Sequence, residues 1–153
     1  MRHISNSPRA TEYFGVKAAK EAERKLKGRR HALVFALRGP LGGGKTTCAR
    51  GIFKALGVRA RAASPTFVLV RRFALPRRRS LYHIDLYRLE GRRAAGALGI
   101  KKIFASPRHV AVVEWAQRAS RLLPRDAVRI SFRHGRGARE RVIMVEYGNE
   151  QRR

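Results

Sequence analysis

Gly39-Pro40-Leu41-Gly42-Gly43-Gly44-Lys45-Thr46-Thr47 is the stretch on which the reading of the fold turns. It fits G-x-x-x-x-G-K-[ST] at every fixed position, a pattern that a chain of this length meets by chance roughly once in a few hundred trials. The chemistry needs these residue types in this order. Glycines let the backbone curl until several N–H groups face one anion, and a helix opening behind them adds its positive end. Lys45 supplies a mobile ammonium for the outer phosphates, and the Thr46 hydroxyl is a neutral oxygen ligand suited to Mg²⁺. Thr47 adds a further phosphate contact. A loop of this kind implies a nucleoside triphosphate, read here as ATP with Mg²⁺, held by Gly42, Gly43, Gly44, Lys45, Thr46 and Thr47.

The sequence on either side supplies the strand and helix that such a loop requires. His31 to Leu37 is a short apolar run, read as a buried strand. Thr46 to Leu56 reads as a helix stopped by Gly57. Further upstream, Phe14, Ala18, Ala22 and Leu26 recur four apart and predict an amphipathic helix over Ala10 to Leu26, closed by Gly28. Downstream, Thr66 to Phe73, Leu81 to Leu86 and Val110 to Trp115 read as strands, with a basic turn at Pro76 to Ser80. Leu89 to Leu98 spells a weaker helix, interrupted by Gly91 and Gly96. Val128 to Phe132 and Arg141 to Tyr147 predict two strands around a Gly- and Arg-rich hairpin. This order predicts an α/β fold with a mixed sheet rather than strict βαβ repetition. One domain is expected over residues 1–153, with about 1–9 and 148–153 flexible.

A phosphate loop needs carboxylates at strand ends to complete a metal site. Two apolar runs close in an acid: Val110-Ala-Val-Val-Glu114 and Leu81-Tyr-His-Ile-Asp85. Either acid can share the hydration shell of one Mg²⁺ or orient the attacking water, and spacing does not divide those roles. Lys45, Asp85 and Glu114 are therefore the candidate catalytic groups, with Thr46 and Glu114 as the candidate metal ligands. His83, two residues before Asp85, reads as a structural histidine, Cys48 as a small buried residue, and Trp115 as a core or rim aromatic.

Thirty-six Lys and Arg against ten Asp and Glu give a net charge of +26, which favours polyanionic partners by counterion release. The arginines fall in scattered pairs and triplets, as proteome bias would also leave them. The single cysteine excludes an internal disulfide and fits a reducing, cytoplasmic setting. No apolar run approaches the roughly 18 residues that span a bilayer, and Met1 to Ala10 lacks a signal-peptide core, so no membrane association is expected.

Several blocks in order resemble the TsaE family, the P-loop ATPases of bacterial tRNA threonylcarbamoyladenosine (t6A) biosynthesis. They are Gly39 to Thr47, Ser64-Pro-Thr-Phe67 with Leu69-Val70, Tyr82-His-Ile-Asp-Leu-Tyr-Arg88, Leu98-Gly-Ile100, and Val113-Glu-Trp115 with Leu123-Pro124. Together with Thr11 to Gly15 they cover nearly the whole chain. The resemblance implies a single P-loop NTPase-like domain whose mixed sheet is partly antiparallel and flanked by helices. It implies phosphate and Mg²⁺ contacts at Lys45, Thr46 and Thr47, a metal-associated acid at Glu114 and an essential acid at Asp85. It also implies an aromatic near the nucleotide at Trp115, a residue beside the base at Thr11, and a late arginine, Arg139 or Arg141, close to the nucleotide. Ser64 to Phe67 corresponds to a mobile loop sensing the γ-phosphate. TsaD and TsaB are the implied partners, with an ATPase slow alone and raised by them.

Two features depart from the family pattern, which usually reads G-D-L-G-A-G-K-T-T. Pro40 and Gly43 stand in place of the Asp and the Ala, and Arg71, Arg72, Arg92 and Arg93 stand where the family runs acidic. The second reversal bears on the partner surface and leaves room for a direct tRNA contact. Two other classes remain open from sequence: a small-molecule kinase, which would need an acceptor pocket and an Arg-bearing lid, and a non-catalytic RNA- or protein-binding module shaped by ATP.

Overall fold

The computed structural model describes residues 1–58, 70–89, 96 and 98–148. Alternation of side chains along the strands builds two cores, one on each face of a single sheet. Leu33, Phe35 and Leu37 of β2 (Leu33–Arg38) face one side, with Val110 and Val112 of β5 (His109–Glu114). Against them lie α1 (Pro8–Lys25) and α2 (Lys45–Ala55). Val34, Ala36, Ala111 and Val113 face the other side, packed by Ile100, Ile103 and Phe104 of α3 (Ile100–Ala105) and by a 3₁₀ turn at Ala116–Ala119. Both faces of the central strands are covered, which explains why they read as continuous apolar runs.

The described residues form a seven-stranded sheet in the order β1-β7-β6-β2-β5-β4-β3. Its other strands are β1 (Arg2–Ser5), β3 (Val70–Leu75), β4 (Arg79–Asp85), β6 (Val128–His134) and β7 (Arg141–Glu146). The central block β6-β2-β5-β4 is parallel, while β1, β7 and β3 run antiparallel to their neighbours. The expected mixed, partly antiparallel sheet is therefore present. The parallel block gathers the ends of β2, β4, β5 and β6 along one edge, where the Gly-rich loop leaves β2.

Several elements differ from the sequence reading. Residues 1–9, expected to be flexible, include β1, whose partner is β7, and the first two residues of α1, Pro8 and Arg9. Helix α1 starts at Pro8 rather than Ala10, capped by the Ser7 side chain, which accepts from the Ala10 N–H at 3.1 Å. Ser followed by Pro at the first helical position is a start signal the sequence already carried. Helix α3 was not anticipated, although Gly99 in the left-handed region followed by Ile100, Ile103 and Phe104 is a legible start and apolar face. The strand expected over Thr66 to Phe73 is described only as Val70–Leu75. Of the Leu89 to Leu98 helix, residues 90–95 and 97 lie outside the described residues, as do Ser64 to Phe67, Arg92, Arg93 and the end of the chain from residue 149.

Candidate functional site

After Arg38 the chain must reverse direction within a few residues to enter α2. It does so through left-handed glycines: Gly39 at φ 148°, Gly42 at φ 68° and Gly44 at φ 102°. A side chain on Gly39 would collide with the Phe132 carbonyl at 2.6 Å, so this position is closed to other residues by packing as well as by conformation. Gly44 is the N-cap of α2 and offers no side chain to cap it. The first helical bond is Cys48 N–H to the Gly44 carbonyl, at 2.9 Å. The amides of Lys45, Thr46 and Thr47 thus open a first helical turn whose donors have no partner within the helix.

The two departures in the loop touch each other. The Pro40 carbonyl accepts from the Gly43 N–H at 3.1 Å and from the Lys45 ammonium at 2.7 Å. A Cβ on Gly43 would stand 2.9 Å from that same carbonyl, so glycine at 43 suits the course that Pro40 imposes.

Lys45 is only 4% exposed. Its Nζ donates to the Gly39 carbonyl at 2.9 Å as well as to Pro40, and lies 3.9 Å from the centre of the Trp115 ring. Burial lowers the Lys45 pKa, and Glu114 and Asp85 draw it partly back up. Trp115 reaches this position because it adopts a left-handed conformation, φ 56°, immediately after β5, which is costly for a bulky residue. Tyr87 flanks its ring at 4.9 Å between centroids. Trp115 is accordingly neither plain core nor plain rim, for it covers the lysine.

The acids meet beside the loop. Asp85 and Glu114 are register partners on β4 and β5, and Glu114 is also the partner of Leu37 on β2. The Thr46 hydroxyl donates to Glu114 Oε2 at 2.7 Å. Asp85 Oδ1 accepts from the Tyr87 N–H at 2.9 Å. Two further residues flank the loop. Thr11 lies with its methyl 3.3 Å from where a Gly44 Cβ would stand, while its hydroxyl is hydrogen-bonded to that of Ser5 at 2.7 Å. Arg141, rather than Arg139, is the late arginine that reaches the loop, donating from Nε to the Gly42 carbonyl at 3.0 Å. Sequence reasoning missed one participant: His83 Nε2 stands 2.9 Å from Glu114 Oε1. The signal was its place on the same strand face as Asp85.

A parallel strand, a glycine loop turning into a helix at Lys45, and an acid on the adjacent parallel strand define the class: a P-loop α/β domain. Residues 5–143 match the family described as Threonylcarbamoyl adenosine biosynthesis protein TsaE. Proteins named tRNA threonylcarbamoyladenosine biosynthesis protein TsaE are among the relatives. That of Haemophilus influenzae is 32% identical, covering 75% of this chain and 72% of its own. That of Treponema pallidum is 32% identical, covering 87% and 91%. The crystal structure of Bacillus subtilis YdiB has the same fold, with a TM-score of 0.73 at 23% identity over 99% of this chain and 87% of that one. The chain belongs to the TsaE family.

Proposed function

We propose that this protein binds Mg²⁺·ATP and hydrolyses ATP in tRNA t6A biosynthesis, slowly alone and faster with TsaD- and TsaB-like partners. Membership of the family supports the pathway, and the site supports the nucleotide. The observation that carries the reading is the 2.7 Å bond from the Thr46 hydroxyl to Glu114 across 68 residues, directly behind a phosphate loop with a buried lysine.

The residues present fit the ligand. Thr46, Glu114 and Asp85 offer hard oxygen atoms only, as Mg²⁺ prefers. No cluster of three or more His, Cys, Asp or Glu among the described residues could cage a metal alone. That matches a cation usually shared between one or two carboxylates and substrate phosphates. When bound, Mg²⁺ would neutralise charge on the outer phosphates. Lys45 would exchange its carbonyl partners for phosphate oxygens, and the amides from Gly42 to Thr47 would surround the anion, that of Gly43 by giving up its bond to the Pro40 carbonyl. Thr46 would offer its hydroxyl oxygen to the cation while still donating its hydrogen to Glu114. Glu114 and Asp85, register partners on neighbouring strands, would share between them the cation's hydration shell and the orienting of the attacking water. Trp115 and Thr11 would border the nucleotide, and Arg141 would fix the loop from outside. The basic surface would contact tRNA.

The test combines a pull-down with TsaD and TsaB, with and without ATP, and a measurement of phosphate release. Complex formation that depends on ATP, with hydrolysis raised by the partners, is expected. Lys45→Ala should lose fluorescent-nucleotide binding, and unchanged binding overturns the phosphate-loop role. Phosphate transferred to a metabolite would instead mark a kinase, and nucleotide binding without release, even with partners, a non-catalytic module.

A further inference from the structure

Glu114 is buried at the end of β5, yet both of its oxygens have partners. Oε2 accepts from Thr46, and Oε1 faces His83 Nε2 at 2.9 Å. His83 is fully buried, one diagonal step from Glu114 on the sheet face that α2 covers. A carboxylate oxygen only accepts, so the hydrogen in this contact belongs to Nε2. The other ring nitrogen, Nδ1, has no hydrogen-bond partner among the described residues, and the ring stands edge-on to Phe53 at 5.1 Å and 83°. A hydrogen on Nδ1 would be an orphaned buried donor, which proteins rarely keep, whereas a bare lone pair is tolerated better.

We propose that His83 is a positioning residue: donating from Nε2, it clamps one oxygen of Glu114 so that the other is presented to Thr46. The proposal rests on the Mg²⁺·nucleotide reading of the site and adds a residue to it. A space-filling histidine needs only shape. Here the ring leaves one nitrogen unsatisfied in an apolar setting in order to place the other on the acid. Without that donor, Glu114 would keep a buried oxygen with nothing to accept from and would be free to rotate away from Thr46.

The experiment compares His83→Gln, whose amide nitrogen can donate from nearly the same place, with His83→Phe, which keeps the ring volume and removes the donor. Affinity for a fluorescent ATP analogue is measured in EDTA and across a Mg²⁺ titration, beside thermal melts without nucleotide. H83F should leave the metal-free affinity near wild type and weaken the Mg²⁺-dependent gain by about 10- to 100-fold, the usual effect of losing a group that orients a metal ligand. H83Q should recover most of it. Wild-type Mg²⁺ dependence in H83F, or equal damage in both variants, overturns the proposal. Nitrogen-15 shifts of the His83 ring in the ligand-free protein give an independent reading. Hydrogen on Nε2 is expected, and an Nε2 without hydrogen sinks the clamp even if neither variant folds. A wild-type protein without any Mg²⁺-dependent nucleotide affinity, but with the Nε2–H ring, would fault the nucleotide reading while leaving the clamp on Glu114 intact.

Discussion

Lys45 illustrates how much of the site is decided atom by atom. Its ammonium is satisfied by two loop carbonyls and an indole face, so a triphosphate must displace weaker, neutral partners to bind. Asp85 and Glu114 lie beside it on neighbouring strands, and their isosteric amides test them without disturbing packing. Asp85→Asn and Glu114→Gln should fold normally by circular dichroism and lower partner-stimulated phosphate release by about 100-fold or more, as loss of a positioned acid or base does. Turnover near wild type would remove that acid from the chemistry. Cys48 makes the opposite point. It lies three residues beyond Lys45, yet burial pushes its thiol pKa far up, with Glu114 adding to the shift. No thiolate forms at neutral pH, so a thiol reagent should leave the native protein untouched and modify it only in denaturant. Rapid labelling of the folded protein would contradict its place in the core. The bland reading of Cys48 from sequence was sufficient, whereas that of His83 missed a partner that lies on another strand.

Among the elements, the crossing of α1 and α2 positions the phosphate loop. The two helices meet backbone to backbone at Gly15 and Gly51. A Cβ on Gly15 would stand 2.2 Å from the Cys48 carbonyl, and one on Gly51 would stand 1.9 Å from the Glu12 carbonyl. An exposed helical Gly→Ala change gains up to about 1 kcal/mol. Here the collision is with backbone, which cannot rotate aside, and forced overpacking costs about 1–3 kcal/mol. Gly15→Ala and Gly51→Ala should each lower Tm by roughly 3–10 °C. They should also weaken nucleotide binding, because the displaced helix begins at Lys45. An unchanged melting temperature would show that the helices can separate freely. The predicted apolar stripe of α1 named Phe14, Ala18, Ala22 and Leu26; the first three are buried, while Leu26 is the C-cap and only partly buried. Periodicity identifies a face, but it does not identify which glycines allow the closest approach.

Across the whole molecule, charge is spread over more than one side. Arg133, Arg136 and Arg139 are exposed at the β6–β7 hairpin, beside the phosphate loop. Arg77 and Arg78 are exposed at the β3–β4 turn, which lies at the start of β4 and so at the opposite end of the sheet, and both adopt left-handed conformations. Such a scatter is what compositional bias leaves, whereas a single stripe would favour binding to a polyanion. If tRNA binds, its affinity should fall by about 10³-fold between roughly 50 and 200 mM salt, the response of some six phosphate contacts. A flat salt profile in a filter-binding or anisotropy titration would reduce the charge to composition.

The amino-acid sequence alone determined the local features: the glycine turn, the helix that follows it, and the buried strands that end in acids. Steric limits on φ and side-chain periodicity act over a few residues, and so can be read along the chain. Only the tertiary structure decided that β5 lies between β2 and β4, that Thr46 meets Glu114, that His83 holds the other carboxylate oxygen, and that Arg141 reaches the loop. Those contacts join residues that lie 31 to 99 positions apart, and strand order and close packing set them. No local propensity encodes which distant partner will occupy a given place.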